Sequence, residues 1–208
     1  ARAFRGKEYT FFLSHHKQGA GVLARWFKMI IADKYGMTVF LDADCLTNLD
    51  NIFAVVKDDV RYLLLLQTHQ TLTRFWCGGE LAAAYCNDVP VIKVVCEDVD
   101  DPNGELLESL ASLWGTDQVG DLRHAGLSLE DVTAAYAALR LLDPHLLDRR
   151  SDKQLAAVPD AICTACLGQA RFNRSSSSSS RVSPVRGEDR GVGVLRAAGD
   201  PEARVAAA

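Results

Sequence analysis

The sequence has no surplus of basic residues: 23 Lys and Arg face 27 Asp and Glu, a formal net charge of −4 over 208 residues. Binding nucleic acid through phosphate neutralisation calls for a clear Lys/Arg excess, so this balance speaks against a dedicated nucleic-acid partner. No apolar run reaches the length of a membrane span, and residues 1–8 have no apolar signal-peptide core, so the expected location is cytoplasmic. The six cysteines (45, 77, 86, 96, 163 and 166) are scattered, and only Cys163-Thr164-Ala165-Cys166 has ligand-like spacing. A second pair to complete a zinc site is missing, so they read as reduced, partly buried thiols and no metal is expected.

What is present reads as a globular α/β chain, with 48% hydrophobic and 24% charged residues. Short apolar runs at Tyr9–Leu13, Thr38–Leu41, Tyr62–Leu66 and Val91–Val95 alternate with helix-like segments, the pattern of a parallel sheet buried on both faces. Leu23, Trp26, Phe27, Ile30 and Ile31 form one helical face that Gly36 closes, and Ile52, Phe53, Val55, Val56 and Val60 suit a shorter helix. A third helix starts near Trp76–Glu80, and Glu105–Trp114 reads as a fourth. A fifth strand is expected within Val119–His124, and a helix through Leu129, Val132, Tyr136 and Leu139 enters from Ser128.

The expected fold is therefore a flavodoxin-like, doubly wound, parallel five-stranded sheet of order 2-1-3-4-5. Its domain spans residues 9–145 after a lead at 1–8, and an extension at 146–170 carries a short helix over Leu155–Leu167. From Arg171 to Ala208, seven arginines, a six-serine run, prolines and glycines read as a disordered tail. Ligands of such sheets bind outside the carboxyl ends of the strands, where this sequence places Ser14-His15-His16-Lys17, Asp42-Ala43-Asp44, Thr68-His69 and Glu97-Asp98.

Three boxes, Phe11-Phe12-Leu13-Ser14-His15-His16-Lys17, Val39-Phe40-Leu41-Asp42 and Arg74-Phe75-Trp76-Cys77-Gly78-Gly79-Glu80-Leu81, resemble in order and spacing the signature boxes of Toll/interleukin-1 receptor (TIR) domains. The resemblance covers residues 9–142, and its most specific part is the Trp-Cys-x-x-Glu box at a helix start. It implies one of two activities: hydrolysis of NAD to nicotinamide and ADP-ribose, with or without cyclisation, or a non-catalytic scaffold acting through homotypic TIR–TIR contacts. The implied partners are NAD, as substrate and not as bound cofactor, and other TIR domains in a homo-oligomer. In enzymatic members the glutamate of the third box is catalytic, and it falls here on Glu80. The implied substrate-binding positions are Trp76, Ser14, His15, His16, Lys17, Asp42 and Asp44. Two departures weigh against a receptor adaptor: Tyr9-Thr10 stands where an acid often precedes the first strand, and the loop Asp42–Asp50 lacks Pro-Gly.

The chemistry also follows from the residues. Breaking the bond from ribose C1 to nicotinamide passes through an oxocarbenium-like state, and an O-glycosidase needs an acid to protonate its leaving group. Nicotinamide leaves NAD as a neutral base, so one ionised carboxylate that stabilises developing positive charge is enough. Trp76 lies four residues before Glu80 and shares its helical face. Simpler roles stand beside these: Glu80 as a first-turn acid facing the helix dipole, Trp76 as a core aromatic, Cys77 as packing, and the histidines as polar loop residues. Gly78-Gly79 lowers helix propensity by about 1 kcal/mol per glycine and predicts a mobile Glu80. A phosphate-accepting regulator fold is a poor match, because the third strand ends at Gln67-Thr68, where that chemistry needs an acid.

Overall fold

The structure, a computed structural model, describes residues 6–42, 51–96 and 99–178, with side chains described to residue 168. The elements in chain order are β1 (Tyr9–His15), α1 (Lys17–Tyr35), β2 (Val39–Phe40), α2 (Ile52–Asp58) and β3 (Val60–Gln67). A 3-10 turn (Thr71–Thr73) then leads into α3 (Phe75–Cys86), β4 (Val91–Val95), α4 (Gly104–His124), α5 (Leu129–Leu139), β5 (His145–Leu146) and α6 (Asp152–Ser178). The five strands form one sheet of order β2-β1-β3-β4-β5, the expected flavodoxin-like order, and every pairing is parallel.

Strand parity sorts the sheet into two cores. Phe12, Phe40, Leu63 and Leu65 face one layer, where α2, α3, α4 and α5 contribute Phe53, Leu81, Trp114 and Tyr136. Phe11, Leu13, Leu64 and Leu66 face the other, covered by Leu23, Phe27 and Ile31 of α1 and by Ile162 and Cys163 of α6. Successive side chains on a strand point to opposite faces, so a strand covered on both sides reads as one continuous apolar run. Gly36 closes α1 in the left-handed region (φ 61°), donating its N–H to Ala32 O, and Ser128 with Asp131 forms a capping box on α5.

Three expectations are corrected. The fifth strand is His145–Leu146, held to Val94 and Val95, while Val119–His124 belongs to α4. Leu110, Trp114 and Leu122 are the buried positions of α4, a helical spacing that reaches past the kink at Gly115, whose φ of 71° breaks the run. Val60 opens β3 opposite Tyr9 instead of closing α2. Finally, α6 starts at Asp152 and continues through 171–178, which composition places in the tail. Residues 179–208 lie outside the described residues. Helix α6 buries Val158, Ile162, Cys163 and Cys166 against the sheet, and burial pushes the Cys163 thiol up to about 12. Among the described residues no helix is long and apolar enough to cross a membrane.

Candidate active site

A cleft of about 550 Å³ opens at the carboxyl end of β1, between the start of α1, the start of α3 and the middle of α4. The chain turns from β1 into α1 through His15 and His16, leaving Ser14 buried at the strand end and Lys17 at the rim. Helix α3 already includes Trp76, so Trp76 and Glu80 do share a face, and both line the cleft. Glu80 stands in the second turn, with no acid in the first, so a helix-dipole role does not account for it.

The cleft floor is Glu80, only 4% exposed. Its Oε2 accepts a 2.6 Å hydrogen bond from Ser14 Oγ. The expected looseness of Gly78-Gly79 is not found, because both glycines are sites of close approach. A Cβ on Gly78 would stand 2.5 Å from the Trp114 ring, and one on Gly79 would stand 2.3 Å from Phe53 Cζ. Glycine here lets α3 press against α4 and α2, which holds Glu80 in place. Burial pushes the Glu80 carboxyl up to about 8, helped by the charge of Asp42 and opposed by the Ser14 hydrogen bond and by Lys17. In the free protein at neutral pH the group therefore keeps its proton, which corrects the expectation of a standing carboxylate.

The walls follow from neighbouring elements. Trp76 is half-buried, edge-on to Phe75 (centroids 5.0 Å apart) and tilted against Phe53 (5.6 Å). It is thus both a core aromatic and a cleft wall. Lys17 Nζ pairs with Asp42 Oδ2 at 3.1 Å, while Asp42 Oδ1 is buried with no hydrogen bond from the described residues. His15 Nδ1 lies 3.2 Å from Leu13 O, and burial lowers its pKa. An Arg74 Nη2 donates to His16 Nε2 at 2.8 Å, so that ring nitrogen carries no proton. Burial first and the Arg74 charge second lower the pKa of His16. Cys77 Sγ donates to His15 O at 3.5 Å, and burial pushes its thiol far up, so it packs and does not attack.

Ser14, His15, His16, Lys17, Asp42, Trp76 and Glu80 thus gather around one cleft or its floor. Asp44 lies outside the described residues. Sequence reasoning missed Arg74 and the α4 contribution of Leu113, Trp114 and Gln118. Arg74 lay inside the quoted box, but only the fold reveals that its guanidinium turns to His16. Leu113 and Trp114 lay in the expected helix Glu105–Trp114, but that helix was expected to end at Trp114, short of Gln118, which hid the face the three share on α4. Trp114 is anchored by its Nε1, which donates to Thr73 O at 2.8 Å.

Among solved structures, the TIR domains of the activated Roq1 resistosome, which directly recognises the pathogen effector XopQ, superpose on this chain with a TM-score of 0.51. The fold is TIR-like. The match covers 76% of this chain and 98% of that one at 17% sequence identity, so the likeness is one of architecture. No family model matches the sequence, and no curated protein does. In this TIR-like frame the third box lies where the sequence resemblance places it, at the start of the helix after β3.

Proposed function

We propose that the chain is a cytoplasmic TIR-domain NAD glycohydrolase, releasing nicotinamide and ADP-ribose or its cyclic form. The observation that carries this reading is the buried Glu80–Ser14 pair on the floor of an open cleft with Trp76 in its wall. The pyridinium ring enters beside Trp76, whose half-exposed face gives an aromatic surface for a flat cation. Positive charge next to Glu80 favours its ionised form, so binding the substrate draws the proton off a carboxyl that otherwise holds it up to about pH 8. The C1–N bond then breaks, its electron pair returns to the pyridine nitrogen, and the carboxylate stabilises the oxocarbenium that remains. Water, or a nucleophilic atom of the adenine for the cyclic product, attacks C1 and gives up a proton to complete the turnover.

The unpartnered Asp42 Oδ1 is an acceptor for a ribose hydroxyl, and Lys17 and Arg74 supply positive charge at the rim for the phosphates. His15 and His16, kept neutral, shape the rim without adding charge that would repel the nicotinamide. The test is nicotinamide release from NAD by wild type and by Glu80→Gln, read by chromatography at pH 8. Release by wild type that falls about 100-fold or more in the variant supports the role, since lost transition-state electrostatics are of that size. Equal release would remove it.

A second reading is a signalling scaffold working through homotypic TIR–TIR contacts. One observation favours it: Val22, Trp26 and Met29, at i, i+4 and i+7 on α1, are 87%, 44% and 57% exposed and form an apolar stripe. The two readings are compatible, because a stripe that assembles copies lies on a different face from the cleft floor. Assembly without any nicotinamide release would favour the scaffold alone.

A further inference from the structure

One row of α4 carries a polar residue where its neighbours are apolar. Leu106 packs on the core, and Leu110, Trp114 and Leu122 are buried in it. Residues four apart lie along one helical stripe, so the place between Trp114 and Leu122 belongs to this row, and Gln118 occupies it. The break at Gly115 (φ 71°, ψ 178°) does not throw the row out of phase, since Trp114 before it and Leu122 after it are buried in the same core. Gln118 is half-buried and makes no hydrogen bond among the described residues. A carboxamide partly withdrawn from water with no partner costs stability, and a leucine there would complete the apolar row without that cost.

What Gln118 faces is the cleft, where it joins Leu113 and Trp114 in the α4 wall. Phe75 stands edge-on to Trp76 (centroids 5.0 Å apart) and to Trp114 (5.5 Å), so three rings run on from the Trp76 wall to α4. The rim cations lie elsewhere: Lys17 is paired with Asp42 after β2, and the Arg74 guanidinium turns to His16 after β1. Helix α4 follows β4, two places beyond β1 in the sheet. A dinucleotide with its phosphates toward β1 and β2 therefore offers its pyridine ring to the aromatic wall and to Gln118.

Nicotinamide bears a carboxamide on that ring. Two carboxamides pair through two N–H···O bonds, each group giving one donor and one acceptor. The carboxylate of nicotinic acid only accepts, so one of its oxygens would face Gln118 Oε1 with no hydrogen between them. We propose that Gln118 recognises the carboxamide of the departing base and makes the cleft selective for the nicotinamide dinucleotide over its nicotinic-acid counterpart. This rests on the NAD reading of the cleft and adds the group by which the substrate is told from a close relative.

The experiment has two readouts on the full chain. The first is kcat/KM for both dinucleotides, followed as base release at pH 8, in wild type, Gln118→Leu and Gln118→Arg, each first checked by thermal melting. Glu80 and Asp42 also disfavour a carboxylate, so the diagnostic is the change in the ratio between variants. Gln118→Leu lowers the preference for NAD about 10-fold, the size of a lost hydrogen-bonded contact, and Gln118→Arg, whose fork pairs with a carboxylate, lowers it further. The second readout needs no turnover: 15N-labelled protein is titrated with free nicotinamide and with nicotinic acid, the Gln118 side-chain amide signals being assigned by their loss in Gln118→Leu. Nicotinamide is expected to move those signals more than nicotinic acid at equal concentration. A ratio unchanged in both variants, or Gln118 signals that nicotinamide does not move, overturns the role. Signals that move without any cleavage of NAD keep the recognition and remove the reaction. Cleavage of NAD at a ratio indifferent to residue 118 keeps the reaction and removes the recognition.

Discussion

At the scale of single residues, the proton on Glu80 decides most of the behaviour. Its carboxyl sits near 8 in the fold against an ordinary value of 4.5, so the folded chain holds a proton that the unfolded chain has lost between those values. Stability is therefore greatest below about pH 4.5 as far as this group is concerned, falls as pH rises through the window, and levels off above about 8. The slope approaches about 1.4 kcal/mol per pH unit at most, and Glu80→Gln removes it; denaturant melts of both proteins at pH 5, 7 and 9 measure the difference. For the proposed catalysis the sign is opposite, because its working form is the carboxylate. The value of kcat/KM rises with pH, is half-maximal near 8 and levels off above it. Ser14→Ala deletes the donor that favours the charged form, so that profile moves to higher pH and activity at pH 7 falls about 10-fold for each unit of displacement. The identity of Glu80 was legible in its box. Its burial was not, because that depends on Ser14, separated from it by 66 positions and brought close only by the pairing of β1 with β3.

At the scale of elements, the legible parts were those whose burial is two-sided or periodic. Runs such as Leu63–Leu66 announce a central strand, because both faces are covered. The face of α1 announces itself through Leu23, Phe27 and Ile31. Strand β5 was invisible because it is two residues at the sheet edge, half of it exposed, with no alternation to read. The glycines of α3 were misread for a related reason: propensity treats glycine as a local cost, whereas Gly78 and Gly79 answer to Trp114 and Phe53 on other helices. Accordingly Gly79→Ala destabilises by about 1–3 kcal/mol through overpacking against Phe53 and lowers any activity with it. By contrast Gly21→Ala in α1, where a Cβ meets nothing within 4 Å, stabilises by about 0.5–1 kcal/mol. Paired thermal melts of these two variants check both the magnitude and the opposite signs.

At the scale of the whole molecule, the parallel sheet brings the chain's polar strand ends to one edge, and the cleft lies at that edge. On the scaffold reading proposed above, contact with other copies falls to surfaces such as the exposed stripe of α1. If that stripe joins protomers, Trp26→Glu shifts the concentration dependence of light scattering to higher protein concentration while leaving the fold's circular dichroism unchanged. The central claim concerns the cleft, and the most direct measurement is nicotinamide release from NAD at pH 8 over a series of protein concentrations, for wild type and Glu80→Gln together. The account predicts release by wild type and a loss of about 100-fold or more in the variant at every concentration. Release that the variant matches, or no release from wild type even at the highest concentration, would contradict it.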